Sequence, residues 1–502
     1  MCADGHVQRI CAILTGPTPT ELSRQMELSK ASADLWELRV DLWDHELRQV
    51  WPSLQHQLMG NAIVFTDVRW AIQSTEQILQ GLQECSSWNI DWIDLPWHLP
   101  DSLVGDILQL RPTLRVLRST HADVSPPQLR LWPRGDLWKV APQCPKLSQW
   151  LAWESWIQEQ WRLSPDRPVL FQPQGEWGAM QRIWAANWKQ PWTYAPSQPW
   201  IPGQIGIEKL EQQYWQGSRS AAKAFVLLGD PVEQSRGPVV HNCWMGRTAY
   251  PARYGTFRVP AAEWQSAWPR LRSLLSGGAI TTPLKQVAYS GMDWVDPIAQ
   301  SSGAVNTFLM SNGEARGFNT DGPAVLDALA ARSCCSPGRV LILGTGGVAR
   351  ACAASCRNAG MEPLFASRTP DRYRRELAHL GACVHYAAVE SLASDINAVV
   401  QSTTCGFKND LVPMQTDWID ERHIVVEMVQ RETPFAAQCR QRGATLISGV
   451  EIFVRLSTMQ AEIWTEGSVK GSTVWPMILE SLDLTPDAKS WQGSAVLAGH
   501  ST

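Results

Sequence analysis

Short apolar runs, each closed by glycine, proline or a polar cluster, recur through the first half of the chain. They are Ile10–Leu14, Leu35–Leu42, Ala62–Val68, Trp92–Leu95, Arg115–Arg118, Leu137–Ala141, Val169–Gln172 and Pro191–Tyr194. All are too short for helices, and amphipathic stretches separate them. Eight strand candidates alternating with helices predict an α/β fold, a (β/α)8 barrel. Chemistry in such a barrel belongs at the C-terminal ends of the strands. Glu37, Arg39 and Asp41 alternate with apolar residues along the second strand, so Glu37 and Arg39 share a face. His121 follows the fifth strand. Lys139 lies inside the sixth between apolar neighbours, where an amine must be paired or neutral. Together they suggest an amine that condenses with a ketone and an imidazole that moves a proton.

The pattern changes after a helix predicted over Ile207–Trp215, which stops at Gln216-Gly217. The segment GSRSAAK has no apolar face and marks the best boundary in the chain. A strand, Ala224–Leu228, then opens into the polar loop EQSRGPVVHN, which carries Ser235 and Gly237. In GAITTPLK, Thr281, Pro283 and Lys285 fall at alternate positions. The stretch SSGAVNTFLMSNGEARGFNTDG predicts a hairpin turning at Ser311-Asn312-Gly313, with Asn306 and Asp321 near its base. Lysine, asparagine and aspartate beside a nicotinamide site would suit carbonyl reduction.

From Arg339 to Thr369 the order is strand, glycine turn, helix, strand. Gly344, Gly346 and Gly347, with Thr345 and Val348 among them, let the backbone turn tightly and approach a diphosphate, and the following helix aims its N-terminal N–H groups there. Ala349 replaces the usual third glycine. The second strand ends at Ser367, Arg368 and Thr369, and an arginine at that point suits a 2′-phosphate, hence NADP rather than NAD.

A length of 502 residues calls for two or three domains. The net charge of −4 gives no electrostatic reason to expect a nucleic acid partner. No apolar run approaches the roughly 18–20 residues of a membrane span. The opening MCADGHVQRICAIL lacks the features of a signal peptide, so a cytoplasmic location is expected. The 12 cysteines are scattered without a CxxC pair, so no metal site is expected, and Cys352 and Cys356 read as core packing. The 27 tryptophans fall mostly before residue 216, a compositional break with no evident reason in the sequence. The polar end after Leu484 is expected to be mobile.

The first half resembles the type I 3-dehydroquinate dehydratases. ELRVD at Glu37 to Asp41, the histidine after strand five, KVA at Lys139, Gln181-Arg182 and IPGQ at Ile201 to Gln204 carry the likeness. It implies that Lys139 forms a Schiff base with the substrate ketone and His121 is the general acid/base. Glu37, Arg39, Arg69, Arg182 and Gln204 would hold ring hydroxyls and the carboxylate. Arg69 matches only with a one-residue shift, the EGG segment after strand three is absent, and Trp200 stands near a position that is small in the family. The family's acidic residue after strand four falls at Pro96, and Asp94 nearby is expected to point to the other face.

The second half is similar to shikimate dehydrogenase along its length. The loop at Ser235, TxPxK at Thr281 to Lys285, AVNT at Ala304 to Thr307, NTDG at Asn319 to Gly322, STTCG at Ser402 to Gly406 and GVEIF from Gly449 carry the likeness. It implies a Lys285–Asp321 catalytic pair, with Ser235, Gly237, Thr281, Asn306 and Asp321 around the substrate. Gly344, Thr345, Gly346, Gly347, Val348, Ser367, Arg368, Thr369 and Gly449 would line the NADP site. Four departures stand out: Gly237 replaces a serine, Ala279 an asparagine and Leu456 a substrate-contacting glutamine, and a tyrosine is missing near Val429-Gln430.

These likenesses divide the chain into a barrel (1–216), a substrate-binding domain (223–321), a Rossmann-like NADP domain (322–448), returning helices (449–483) and a tail (484–502). The order matches the fused enzymes of plants and chlamydia-like bacteria. The expected function is dehydration of 3-dehydroquinate followed by reduction of the product to shikimate with NADPH, acting on small molecules, with no nucleic acid or membrane partner and the oligomeric state left open. A quinate/shikimate dehydrogenase with a degenerate barrel, and a weakly catalytic scaffold that binds NADP or polyols, stay as alternatives.

Overall fold

The computed structural model describes residues 7–58, 60–121, 126, 133–166, 169–216, 218–220, 222–332 and 338–484. Gly217, at the expected boundary, and the tail beyond Leu484 lie outside them. Contacts divide the chain into two compact units: Met1–Ala224 with Ala249–Phe257, and Phe225–Thr248 with Arg258–Thr502.

In the first unit eight parallel strands follow the apolar runs: β1 (Ile10–Leu14), β2 (Leu35–Arg39), β3 (Ala62–Thr66), β4 (Trp92–Pro96), β5 (Arg115–Thr120), β6 (Leu137–Val140), β7 (Val169–Phe171) and β8 (Thr193–Pro196). Their order, β7-β6-β5-β4-β3-β2-β1-β8, is that of a nearly closed barrel. Gln190 bridges β7 to the approach of β8, its Oε1 accepting from Phe171 N at 3.2 Å and from Gln172 Nε2 at 2.9 Å. The second strand stops at Arg39 rather than Leu42, because Val40–Leu42 coils into a 3-10 turn. The predicted helix over Ile207–Trp215 is α-helical only to Lys209 and continues as a π-helix over Leu210–Trp215.

Alternation decides what fills the barrel. Its lower interior is apolar: Cys11, Leu35, Val64, Leu117, Leu137, Leu170 and Trp192 are buried together, and Trp92 packs edge-on against Trp192 at 5.3 Å. Polar inward positions lie above this floor, toward the strand C-termini.

Two more sheets follow the barrel in the chain. The first comprises β9 (Lys223–Gly229), β10 (Ala252–Arg258), β11 (Gly277–Ile280), β12 (Trp294–Val295), β13 (Thr307–Ser311) and β14 (Glu314–Phe318), in the order β10-β9-β11-β13-β14-β12. β13 and β14 form the predicted antiparallel hairpin, and Asn312 and Gly313 at its turn both have positive φ, 51° and 84°.

The second sheet is entirely parallel: β15 (Arg339–Leu343), β16 (Glu362–Ser367), β17 (Ala382–His385), β18 (Ile396–Gln401), β19 (Ile424–Glu427) and β20 (Thr445–Ile447), in the order β17-β16-β15-β18-β19-β20. The order reverses between β15 and β18, which opens a crevice at the strand C-termini where such sheets take their ligands. Buried apolar clusters cover both faces, and Cys352 and Cys356 lie in one of them. The chain ends its described part with helices Gly449–Trp464 and Gly471–Ser481.

Candidate active sites

Three strands of the barrel converge on one amine. Lys139 on β6 is 4% exposed, and its Nζ donates a short hydrogen bond to Asp94 Oδ2 on β4. Glu37 Oε1 on β2 lies 3.6 Å away and accepts from Thr66 Oγ1 at 2.9 Å. The Tyr194 ring on β8 lies 5.0 Å from the same Nζ. A lysine with two carboxylates and an aromatic face around it is favoured as the ammonium, and the carboxylates raise its pKa against the opposing effect of burial.

Asp94 was expected on the opposite face, and the structure corrects this. Residues 94 and 96 are two apart on one strand, so period-2 alternation puts both inward. Asp94 is the residue that sequence reasoning misplaced, and its spacing from Pro96 was the signal.

The other expected barrel residues divide into two groups. Arg182 is buried, and among the described residues no carboxylate pairs with it; Nη1 donates to the carbonyls of Pro173 (3.2 Å) and Gly178 (2.8 Å), and Nε has no partner among them. Burial pushes it down to about 10. A guanidinium left this way is a ready socket for a carboxylate. Arg39 and Arg69 are instead each bound bidentately by a neighbour, Asp41 and Asp67. Gln204 Oε1 accepts from Trp200 N and Ile201 N, folding its own loop. His121 stands exposed just past β5, yet nearby protein atoms and then the Lys139 charge hold its imidazole below the usual range.

In the second unit Lys285 Nζ donates to Asp321 Oδ2 at 2.6 Å. Asp321 opens the helix Asp321–Ala330, and its N–H is fixed by Asn319 Oδ1 at 3.0 Å. Asn306 is almost fully buried beside them. Its Oδ1 accepts from Thr307 Oγ1 (2.8 Å) and Thr320 N (2.9 Å), and its Nδ2 donates to Thr320 Oγ1 (3.0 Å). Gln460 adds a link that the sequence did not assign, Nε2 donating to Thr307 Oγ1 at 3.0 Å. Leu456, one helical turn earlier, packs partly buried against the apolar core. Ser235 Oγ accepts from Gly237 N at 3.0 Å. Thr281 follows β11 and leans on Gly229, where an added Cβ would lie 2.3 Å from its methyl.

The glycine turn fits a dinucleotide. Gly344 has φ +111°, a conformation that favours glycine, and space around Gly346 is open. A Cβ at Gly347 would sit 3.3 Å from the Cβ atoms of both Lys285 and Ala304, so the turn and Lys285 are direct neighbours. Arg350 Nε ties back to Thr345 O at 3.0 Å, and Thr369 N donates to Ser367 Oγ at 3.2 Å. Arg368 is exposed at the end of β16, and Arg372, on the first turn of the next helix, adds a second exposed cation that the sequence reading passed over. Gly449 opens the helix Gly449–Trp464, which Ser448 caps through Glu451 N.

Two family matches make this an enzyme of two parts, a lyase and an oxidoreductase. Residues 10–219 match the family model for type I 3-dehydroquinase, and 227–308 that for the shikimate dehydrogenase substrate binding domain. A shikimate dehydrogenase (NADP(+)) of Thermus thermophilus is 31% identical over 244 residues, covering 48% of this chain and 92% of the relative. The shikimate biosynthesis protein AroDE of Chlamydia pneumoniae is 24% identical over 476 residues, covering 91% of this chain and 95% of its own. A solved Thermus thermophilus shikimate 5-dehydrogenase with NADP(H) and shikimate is 28% identical and covers 52% of this chain and 99% of its own, with a TM-score of 0.47. The chain belongs to the shikimate dehydrogenase family, fused behind a type I 3-dehydroquinase barrel.

Proposed function

We propose that the chain carries out two consecutive steps of the shikimate route: dehydration of 3-dehydroquinate, then reduction of 3-dehydroshikimate to shikimate with NADPH. The observation that carries this reading is the pair of lysines, Lys139 held in the barrel beside Asp94 and Lys285 bound to Asp321 against the glycine turn. The working division is a dehydratase barrel (1–216), a substrate domain (223–321), an NADP domain (322–448) and returning helices (449–483).

In the barrel, Lys139 bonds the ketone carbon as an iminium. The cationic nitrogen draws electrons from the neighbouring C–H, His121 removes that proton, and His121 then protonates the departing hydroxyl. Arg182 receives the carboxylate, while Glu37, Arg39, Arg69 and Gln204 surround the ring.

In the second unit NADPH supplies a hydride. Lys285 and Asp321 hold a proton at the carbonyl oxygen, and Asn306, Thr281 and Ser235 orient the ring. Gly344, Thr345, Gly346, Gly347, Val348 and Gly449 cradle the diphosphate and nicotinamide, and Ser367, Arg368 and Thr369, with Arg372, receive the 2′-phosphate. Gly237 lacks the hydroxyl expected at that point, which makes the bulkier quinate ring the alternative substrate to test at the same site. Among the described residues no helix is long and apolar enough to cross a membrane; the likeness to a biosynthetic enzyme is what supports a cytoplasmic location.

The test is a coupled assay. 3-Dehydroquinate and NADPH together should yield shikimate with oxidation of NADPH, and borohydride with 3-dehydroquinate should leave an adduct on Lys139 that Lys139→Ala cannot form. Turnover of quinate with NADP, but none of 3-dehydroshikimate with NADPH, would reassign the second step.

A further inference from the structure

The chamber around Lys139 stabilises the wrong protonation state for its first task. Asp94, Glu37 and the Tyr194 ring all favour the ammonium, whereas attack on a ketone needs the nitrogen lone pair. A proton must therefore leave Nζ, and few neighbours can take it. The titratable or charged groups facing the amine are Asp94, Glu37, His121, Arg39, Cys11 and Tyr194. Arg39 cannot accept a proton. Burial holds Cys11 and Tyr194 in their protonated forms. His121 stands at the mouth, where the proposed C–H abstraction employs it. Glu37 is the more distant carboxylate, and the oxygen nearest the amine is already engaged by Thr66. Asp94 differs on both counts. Its Oδ2 contacts Nζ directly, and its Oδ1 is buried without a hydrogen-bond partner among the described residues. A buried carboxylate oxygen with a free lone pair, beside a reactive amine, is a place where a ligand group fits.

We propose that Asp94 is a further catalytic residue of the barrel, taking a proton from Lys139 as the nitrogen attacks the ketone carbon and delivering one to the carbinolamine oxygen so that water departs. This rests on the Schiff-base reading given above. The lone pair freed on nitrogen forms the C–N bond while the carbonyl π pair moves to oxygen. One proton then passes from nitrogen to that oxygen, and the proton held by Asp94 completes a water molecule as C–O breaks. Nitrogen donates its pair again to form C=N. An ammonium and a ketone thus become an iminium and one water, with Asp94 a carboxylate before and after. The chain has proline at 96, where the resemblance would put an acid, which leaves Asp94 as the acid on β4 inside the barrel.

Trapping kinetics test this. The full-length enzyme is mixed with 3-dehydroquinate and borohydride, and the Lys139 adduct is followed by mass across neutral to alkaline pH. Asp94→Asn is expected to form it about 10²-fold more slowly. A residue that only set the local charge would give the opposite sign, because removing an anion makes the neutral amine easier to reach. Asp94→Glu, which keeps a carboxylate, is expected to trap faster than Asp94→Asn and keeps the test open if the asparagine variant fails to fold by circular dichroism. Trapping by Asp94→Asn at the wild-type rate, or by Asp94→Glu no faster than a folded Asp94→Asn, overturns the assignment while leaving the barrel's function intact. No adduct in the wild type overturns the Schiff-base reading itself.

Discussion

His121 combines an exposed position with a depressed pKa, and the two together set a pH dependence. A base must be neutral to take a proton, and the crowding and the Lys139 charge keep this imidazole neutral further into acid than a free histidine. The acid limb of kcat/KM for dehydration is therefore expected below the ordinary histidine pKa of about 6.5. A profile of initial rate against pH checks this, and a limb at or above that value would remove His121 from the role. Some of the site was legible residue by residue. A lysine in an apolar strand run announced itself by its desolvation cost, and Lys285 and Asp321 by their motifs. Arg39 and Arg69 looked like free ligand-binding cations because nothing in their spacing told that Asp41 and Asp67 would occupy both. Gln460 was invisible as a partner because Thr307, its acceptor, is 153 positions away in the chain.

At the level of elements, helix Gly449–Trp464 begins in a space that admits no side chain. A Cβ on Gly449 would lie 2.3 Å from Val429 O, and that backbone is held in turn by Glu427, whose Oε1 accepts from Val429 N at 2.9 Å. Gly449→Ala is expected to lower stability by about 1–3 kcal/mol and to raise the KM for NADPH. Thermal melts and saturation kinetics measure both, and an unchanged melting temperature would show that the loop yields freely. The apolar runs predicted the strands well, because barrel strands buried on both faces read as short continuous hydrophobic blocks. They overran where hydrophobicity continued past the sheet, as at Val40–Leu42, since a 3-10 turn can bury Val40 as well as a strand can. Beyond the barrel, no strand was predicted at β10, β11, β12 or β17 to β20; β12 and β20 carry too few residues to show a period.

For the molecule as a whole, two chemistries on one chain invite a complementation experiment. Lys139→Ala and Lys285→Ala each remove one step, and the roles are assigned to separate units. Mixed together, the two variants are expected to convert 3-dehydroquinate and NADPH to shikimate, the intermediate passing through solution. Failure of the mixture, with each surviving step intact, would mean that the intermediate does not escape. The tryptophan excess, unexplained in the sequence, has a packing role in the structure. Trp43, Trp51 and Trp88 cluster with ring centroids 5.2–6.2 Å apart, and Phe65 packs against Trp88. These large side chains fill space around the barrel strands that smaller residues would leave open.

The indoles of Trp92 and Trp192 pack into the apolar lower interior of the barrel, so the polar end at the strand C-termini is the side suited to a polar ligand. Under the proposed reaction, the water that hydrolyses the bound product would arrive at the same end by which that product leaves. Product in excess would then compete with substrate for that end of the barrel.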